Sequence, residues 1–286
     1  MANQMTAKTI IAFQGLEGAY SDLACKAVYP TAQTLPCPNF AAAFEAVKNK
    51  QANLAMIPVE NLIAGRVAEV HYLIPESGLH IIGEHFQRVV HHLLAVEGAT
   101  LADIKEVRSH PQALAQCRAF LDSHHIKPVA VGDTASGAQE VAQLKDKSIG
   151  SIASSLAGER YGLTSLKTDI ADLAGNTTRF LVFAPEPLLP SDSESCITSI
   201  LFDLKSVPAA LFKALAGFAT CGINLTRIES YTKSGNFTAS RFFIDVEGHP
   251  NDPRLRQALD ELRFYARDVR LLGTYLAHPY RRQSAA

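Results

Sequence analysis

The chain contains no apolar stretch approaching the ~18 to 20 residues of a membrane span, and its first eight residues lack the apolar core of a secretory signal. A cytoplasmic location is expected. An excess of one charge is also missing: 27 Lys and Arg face 28 Asp and Glu, a formal net charge of -1. No overall field draws the protein to nucleic acid, and no single-sign run marks a tail or a membrane-surface helix. The expected partners are small molecules, not nucleic acid or membrane. The five cysteines, Cys25, Cys37, Cys117, Cys196 and Cys221, are odd in number and scattered, which excludes a disulfide framework and a metal-spaced pair. Histidines occur as the neighbours His91-His92 and His124-His125, but adjacent side chains point to different faces of a strand or a helix. With no third ligand at useful spacing, no metal is expected. The glycines match neither a dinucleotide nor a P-loop fingerprint, so phosphate is not implied.

What remains is an ordinary globular composition, 47% hydrophobic and 19% charged over 286 residues, long enough for two domains. Residues 9–13 read as a strand, followed by a turn containing Gly15 and Gly18 and a helix that Ser21 is placed to cap, a junction suited to anions. Asn39 caps a second helix whose face of Phe40, Ala43, Phe44 and Val47 reads as core. A buried strand over 54–57 stops at Pro58, leaving Glu60 and Asn61 at its end, and a further helix follows Gly65. Extended segments over 79–96 lead to a second set of strands and helices: strand 106–108 with a helix over 112–121, strand 129–131 with a helix through Val141, and strand 148–152 with a helix ending near Gly162. Strand and helix in alternation predict parallel sheets in two lobes around a cleft, with ligands beyond the strands' carboxyl ends. Gly175-Asn176-Thr177-Thr178-Arg179-Phe180 then sets two hydroxyls and a guanidinium at the mouth of a strand running to 184 and returning near the hinge.

A Pro- and Ser-rich linker, 186–194, ends this part. Beyond it the order is strand 197–204, helix 208–219, strand 225–232, a Lys233-Ser234-Gly235-Asn236 turn, strand 238–247, helix 253–263 and strand 269–276. That is β-α-β-β-α-β, a ferredoxin-like arrangement.

Six motifs stand together in order: Phe13-Gln14-Gly15 with Gly18 and Ser21; Ile57-Pro58-Val59-Glu60-Asn61 with Gly65; Ser109-His110-Pro111-Gln112-Ala113-Leu114; Asp133-Thr134 with Gly137-Ala138; Asn176-Thr177-Thr178-Arg179-Phe180; and Gly222-Ile223-Asn224-Leu225 with Glu229-Ser230. On these the chain resembles the monofunctional bacterial prephenate dehydratases with a C-terminal ACT regulatory domain, over nearly its whole length. The resemblance implies an α/β fold with a two-lobed, periplasmic-binding-protein-like catalytic domain over 8–185, its second lobe roughly 90–165, and a ferredoxin-like ACT domain over 195–278. It implies decarboxylating dehydration of prephenate to phenylpyruvate with no cofactor, feedback inhibition by phenylalanine, and a homodimer or homotetramer.

The same resemblance makes Thr178 the key catalytic residue, with Arg179 as anchor for the pyruvyl carboxylate and Asn61 and Glu60 beside them. Ser21, Thr134 and Ser154 either cap helices or contact substrate, and Asn176, Thr177 and Phe180 complete the pocket. The effector would lie against Val207, Pro208, Ala209, Ala210 and Leu211, and against Gly222, Asn224 and Leu225 of a facing chain, with Glu229 and Ser230 also in the site. Four positions depart from the family pattern, one of them Thr232 in place of a proline. Leu62 replaces a serine, Ala209 replaces a glycine so that a methyl narrows the turn or bars a positive φ, and Tyr231 replaces an arginine. Arogenate dehydratase and a non-catalytic amino-acid sensor are the alternatives.

Overall fold

The computed structural model describes residues 9–232 and 239–283, so the turn expected at Lys233 to Asn236 lies outside the described residues. The chain divides into two compact units, one built from residues up to Ser77 and from His85–Leu181, the other from Gly78–Glu84 and from Val182 onward.

The first sheet of the first unit grows from β1 (Ile10–Gln14), whose middle residues are fully buried. Its neighbours are β2 (Gln33–Cys37) and β3 (Leu54–Asn61), both parallel to it, and the order is β2-β1-β3-β11-β5, with β5 spanning His80–Arg88 and β11 Thr177–Ala184. No strand was expected at 33–37, where Pro36 weakens the signal. On the outer edge of a sheet a missing N–H is tolerated. Nor does β3 stop at Pro58 as expected. Its ladder with β1 ends at Leu54 and Ala55, so the proline falls past the stretch paired with β1, and the strand carries Asn61 further out. A short β4 (Gly65–Arg66) folds back on it with Glu60 opposite Arg66, and Gly65 turns at φ +79.

Helices α1 (Tyr20–Val28), α2 (Phe40–Lys48) and α3 (Ala68–Leu73) complete this half. Asn39 caps α2 as expected, its side chain accepting from the Ala42 N–H at 2.8 Å. Ser21 does not cap α1. Ala19 holds that position with no side-chain bond, and Ser21 sits inside the first turn.

The second sheet orders as β10-β6-β9-β7-β8: β6 (His92–Ala95), β7 (Glu106–Ser109), β8 (Lys127–Ala130), β9 (Ile149–Ala153) and β10 (Thr164–Lys167). It is mixed, not purely parallel as expected, because β6 runs antiparallel to both β9 and β10 while β7 is parallel to β8 and β9. The single helix expected over 112–121 is two, α4 (Pro111–Gln116) and α5 (Arg118–Ser123). A distant residue makes the break: the Asp172 carboxylate accepts the Ala119 N–H at 3.1 Å, and the Asp172 N–H donates to the Gln116 carbonyl at 2.7 Å. Both orphaned helix ends are thereby satisfied. Helices α6 (Thr134–Leu144) and α7 (Ser155–Tyr161) cover the sheet. Cys117 lies in the core with Leu93, Val107 and Ile152, and burial pushes its thiol up to about 12, which keeps it inert.

The second unit is β12 (Cys196–Leu204), α8 (Ala210–Thr220), β13 (Leu225–Thr232), β14 (Ala239–Glu247), α9 (Pro253–Tyr265) and β15 (Ala266–Leu276), then α10 (Tyr280–Gln283). The antiparallel sheet orders as β13-β14-β12-β15, the ferredoxin-like arrangement. Ile200, Phe202, Ile244 and Val246 turn toward Phe218 and Leu259 of the two helices to form its core. Ala209 does adopt a positive φ, +59, so the alanine occupies the left-handed region at about 1 to 2 kcal/mol.

Candidate active site

A cavity of about 450 Å3 opens between the two sheets of the first unit, within the size range of small-molecule sites. The first turn of α1 contributes Tyr20 and Ser21, β3 contributes Asn61, α6 contributes Thr134, and β11 with the residue just before it contributes Asn176, Thr178 and Phe180. Strand geometry selects that last set. Side chains alternate along β11, so Asn176, Thr178 and Phe180 line the cavity, and Thr177 and Arg179 do not.

The expected role of Arg179 as a substrate anchor is therefore corrected: it is buried on the other side of the strand. Neighbours in a strand cannot share a face, a rule that applied to Thr178-Arg179 as it did to His91-His92. Arg179→Lys is expected to lower stability and leave KM for substrate within about twofold, since a lysine cannot reproduce the guanidinium fork in a buried setting. A tenfold rise in KM with unchanged thermal stability would return Arg179 to the cleft. Glu60 likewise does not line the cavity and stands opposite Arg66 across the β3–β4 hairpin. Ser154 is a capping residue, accepting from the Ala157 N–H at 3.0 Å and donating to the Gly18 carbonyl at 2.6 Å. Thr134 does reach the cavity at the start of α6, whose cap is Asp133.

Around Thr178 the polar groups form one chain. Asn61 Oδ1 accepts from the backbone N–H groups of Ile63 (3.0 Å) and Ala64 (2.8 Å), which aims its amide nitrogen at Asn176 Oδ1 (2.7 Å) and Thr178 Oγ1 (2.9 Å). Asn176 in turn donates to Gln116 Oε1 at 2.9 Å, and Gln116 meets His91 Nε2 at 2.8 Å. His91 Nδ1 is 3.0 Å from the Tyr20 hydroxyl, itself 2.7 Å from the Val90 carbonyl. Because Thr178 Oγ1 accepts from Asn61, its own proton is left to donate elsewhere, and it faces the cavity. Tyr20, His91 and Gln116 escaped the sequence reading. Gln116 follows Gln112 by one helical turn on the same face, a signal that was available. His91 reads in the sequence only as an isolated metal-ligand candidate. Phe40, read as core, also lines the cavity.

Apart from histidine, the titratable charges lining the cavity among the described residues are Glu69 and Asp133, both acidic. The start of α1, which has no side-chain cap, opens here and offers backbone N–H groups to an anion, with Asp22 as the acidic residue of its first turn.

In the second unit the residues expected to hold an effector fall into two groups. Ser230 pairs with Phe242 and so lies level with Phe202 near the end of β12, whereas Leu225 pairs with Val246, level with Thr198 near its start. Glu229 and Ser230 therefore belong with Val207 to Leu211 at the head of α8, and Gly222, Asn224 and Leu225 with its tail. One chain does not bring the two groups together.

The fold and cavity define a cleft enzyme for a small polar molecule, carrying a ferredoxin-like second unit. Residues 11–187 match the prephenate dehydratase family. A protein of Komagataeibacter europaeus described as a bifunctional N-acyl-homoserine lactone acylase/prephenate dehydratase is 47% identical over 98% of this chain and 100% of its own. An arogenate dehydratase/prephenate dehydratase of Arabidopsis thaliana is 40% identical over 94% of this chain and 72% of its own. Among solved structures, a prephenate dehydratase of Arthrobacter aurescens in complex with L-Phe superposes with a TM-score of 0.86 at 32% identity, covering 94% of this chain and 90% of that one. The chain belongs to the prephenate dehydratase family and is an enzyme of aromatic amino-acid biosynthesis.

Proposed function

We propose that the enzyme converts prephenate to phenylpyruvate, with loss of water and CO2, in phenylalanine biosynthesis. The observation that carries this reading is the Thr178 hydroxyl, which accepts from Asn61 and so presents its proton to the cavity. Elimination needs a donor at the departing ring hydroxyl, while aromatisation supplies the driving force. Thr178 polarises that oxygen. Asn61, itself held by Asn176, holds Thr178 in place, Phe180 supports the ring, and Ser21, Thr134 and the head of α1 meet the substrate's carboxylates. Arg179 and Glu60 support the strand ends from behind.

Catalysis is assigned to 8–185 and regulation to 195–278, joined by 186–194. The relative described with L-Phe supports phenylalanine as effector here. It would bind where two ferredoxin-like, ACT-type units pair, because each chain holds its two groups of effector residues at opposite ends of α8. That arrangement calls for a homodimer or a dimer of dimers. The enzyme works in the cytoplasm.

A second reading, arogenate as substrate, is favoured by one observation. Arogenate carries an ammonium where prephenate has a keto oxygen, and Glu69 and Asp133 are acidic groups facing the cavity. The acylase activity in one relative's name would need a nucleophile beside a base, and the Thr178 oxygen is bonded to an amide instead. Purified protein given prephenate, arogenate and an N-acyl-homoserine lactone side by side tests all three. Phenylpyruvate is the expected product, and phenylalanine from arogenate alone would reverse the order. Light scattering with and without phenylalanine should return a dimer or larger, and a monomer in both would remove the paired effector site.

A further inference from the structure

The bonding order around Gln116 dictates the protonation of His91. Asn61 is oriented by two backbone donors, so Asn176 must accept from it and must donate to Gln116 Oε1. Gln116 therefore presents an acceptor to His91 Nε2, and that nitrogen must carry a proton. In the neutral ring Nδ1 is then a lone pair, 3.0 Å from the Tyr20 oxygen, which is also 2.7 Å from the Val90 carbonyl. A single phenolic proton faces two acceptors. Adding a proton at Nδ1 resolves the conflict: His91 donates to both Tyr20 and Gln116, and Tyr20 donates to Val90. The cavity wall thus has a place for one more proton, and Tyr20 and His91 both line the cavity.

The proposed reaction consumes one. The bond from the ring to its carboxylate breaks and leaves its electron pair in the ring. The C–O bond opposite breaks with its pair on oxygen, and one proton converts the departing hydroxide to water. Prephenate dianion and one proton become phenylpyruvate monoanion, CO2 and water. Thr178 alone would be left as an alkoxide, far from its stable state at neutral pH.

We propose that His91, acting through Tyr20, holds the proton that the departing hydroxide consumes: the phenolic proton turns from the Val90 carbonyl to the leaving oxygen, His91 Nδ1–H replaces it on Tyr20, and the ring is left neutral. This rests on the dehydratase reading above. Five groups face the pair: the Cys117 thiol beside Tyr20, Gln116, the neighbouring His92, the Asp169 carboxylate and the Val90 carbonyl. Burial holds the His91 ring below its ordinary range and His92 lowers it further, while the Gln116 bond and Asp169 oppose this. Burial also keeps Tyr20 protonated, hence a donor. A bound dianion raises the ring's proton affinity at the moment it is needed.

His91→Gln keeps an N–H for Gln116 but cannot titrate. It should lower kcat by about 100-fold with KM within about twofold, and should lack the fall in kcat/KM that the wild type is expected to show as pH rises through the ring's depressed value. Wild-type kcat and pH profile in this variant would mean that His91 only positions Gln116, and would overturn the proposal. The second measurement needs no turnover. In 15N NMR of the free protein, neutral His91 should be the Nε2–H tautomer, and Tyr20→Phe should lower its pKa, because the acceptor for Nδ1–H is lost. A neutral Nδ1–H tautomer, or no change with Tyr20→Phe, also overturns it. A wild type that makes no phenylpyruvate but titrates in this way would sink the dehydratase reading and leave the proton site standing.

Discussion

Thr178→Val is expected to lower kcat for prephenate by about 100- to 1000-fold while binding persists, the range found when one preorganised donor to a developing oxyanion is removed. Valine keeps the branched shape that suits β11 and deletes only the oxygen. Two things are lost together: the proton directed into the cavity, and the acceptor for one Asn61 N–H. The second loss costs about 1 to 3 kcal/mol of stability if the N–H stays dry, so thermal unfolding is measured beside kinetics. Thr178→Ser should retain most of the turnover, since its oxygen can accept from Asn61 and still donate outward. KM should stay within about threefold for both, because an interaction made only in the transition state leaves ground-state binding alone. Turnover by the valine variant within threefold of wild type would remove Thr178 from the chemistry.

Arg281→Ala is expected to destabilise the protein by about 3 to 5 kcal/mol, the range for stripping one partner from a buried ion pair. The Glu84 side chain has no solvent exposure and Arg281 only 18%. The guanidinium grips both carboxylate oxygens, at 2.6 and 2.8 Å, and the His278 N–H adds a third bond at 3.0 Å. These contacts tie α10 to the segment 78–84 within the second unit. Close by, that segment lies so near β15 that a Cβ on Gly273 would sit 1.9 Å from the Ile81 carbonyl oxygen. Alanine at 281 leaves a buried carboxylate without its cation, whereas Glu84→Gln with Arg281→Met removes both charges and should recover most of the loss. Urea unfolding of the full chain measures both variants. A change under about 1 kcal/mol for Arg281→Ala would show that water reaches Glu84.

Much of this molecule was legible as sequence because its signals are local. A cap such as Asn39 is decided by its own next three residues, and the β-α-β-β-α-β order follows from periodicity and turn chemistry. Where local signals were weak or overridden, the reading slipped. Pro36 and Pro58 argue against strands in isolation, and it is the sheet's edge for Pro36 and the end of the ladder with β1 for Pro58 that make room for them. Cys117 ends a helix because Asp172, far along the chain, satisfies the groups that the break exposes. The place of Arg179 is legible in the sequence, since the alternation of a strand sets it opposite Thr178.

By itself, then, the sequence determined most of the elements and their order, which of them carry hydroxyls and amides at their ends, and that Thr178 stands at a strand mouth. Only the tertiary structure decided which of these groups act together. Asn61, His91, Gln116 and Asn176 have no common spacing, and each alone reads as a cap or a solvated polar residue. A hydrogen bond depends on a separation of about 3 Å and on the direction of a donor, and residues so far apart in the chain acquire both only when two sheets close on one cavity. The backbone donors of Ile63 and Ala64 then orient Asn61, and that choice passes from amide to amide until it sets the proton on His91 and frees the one on Thr178.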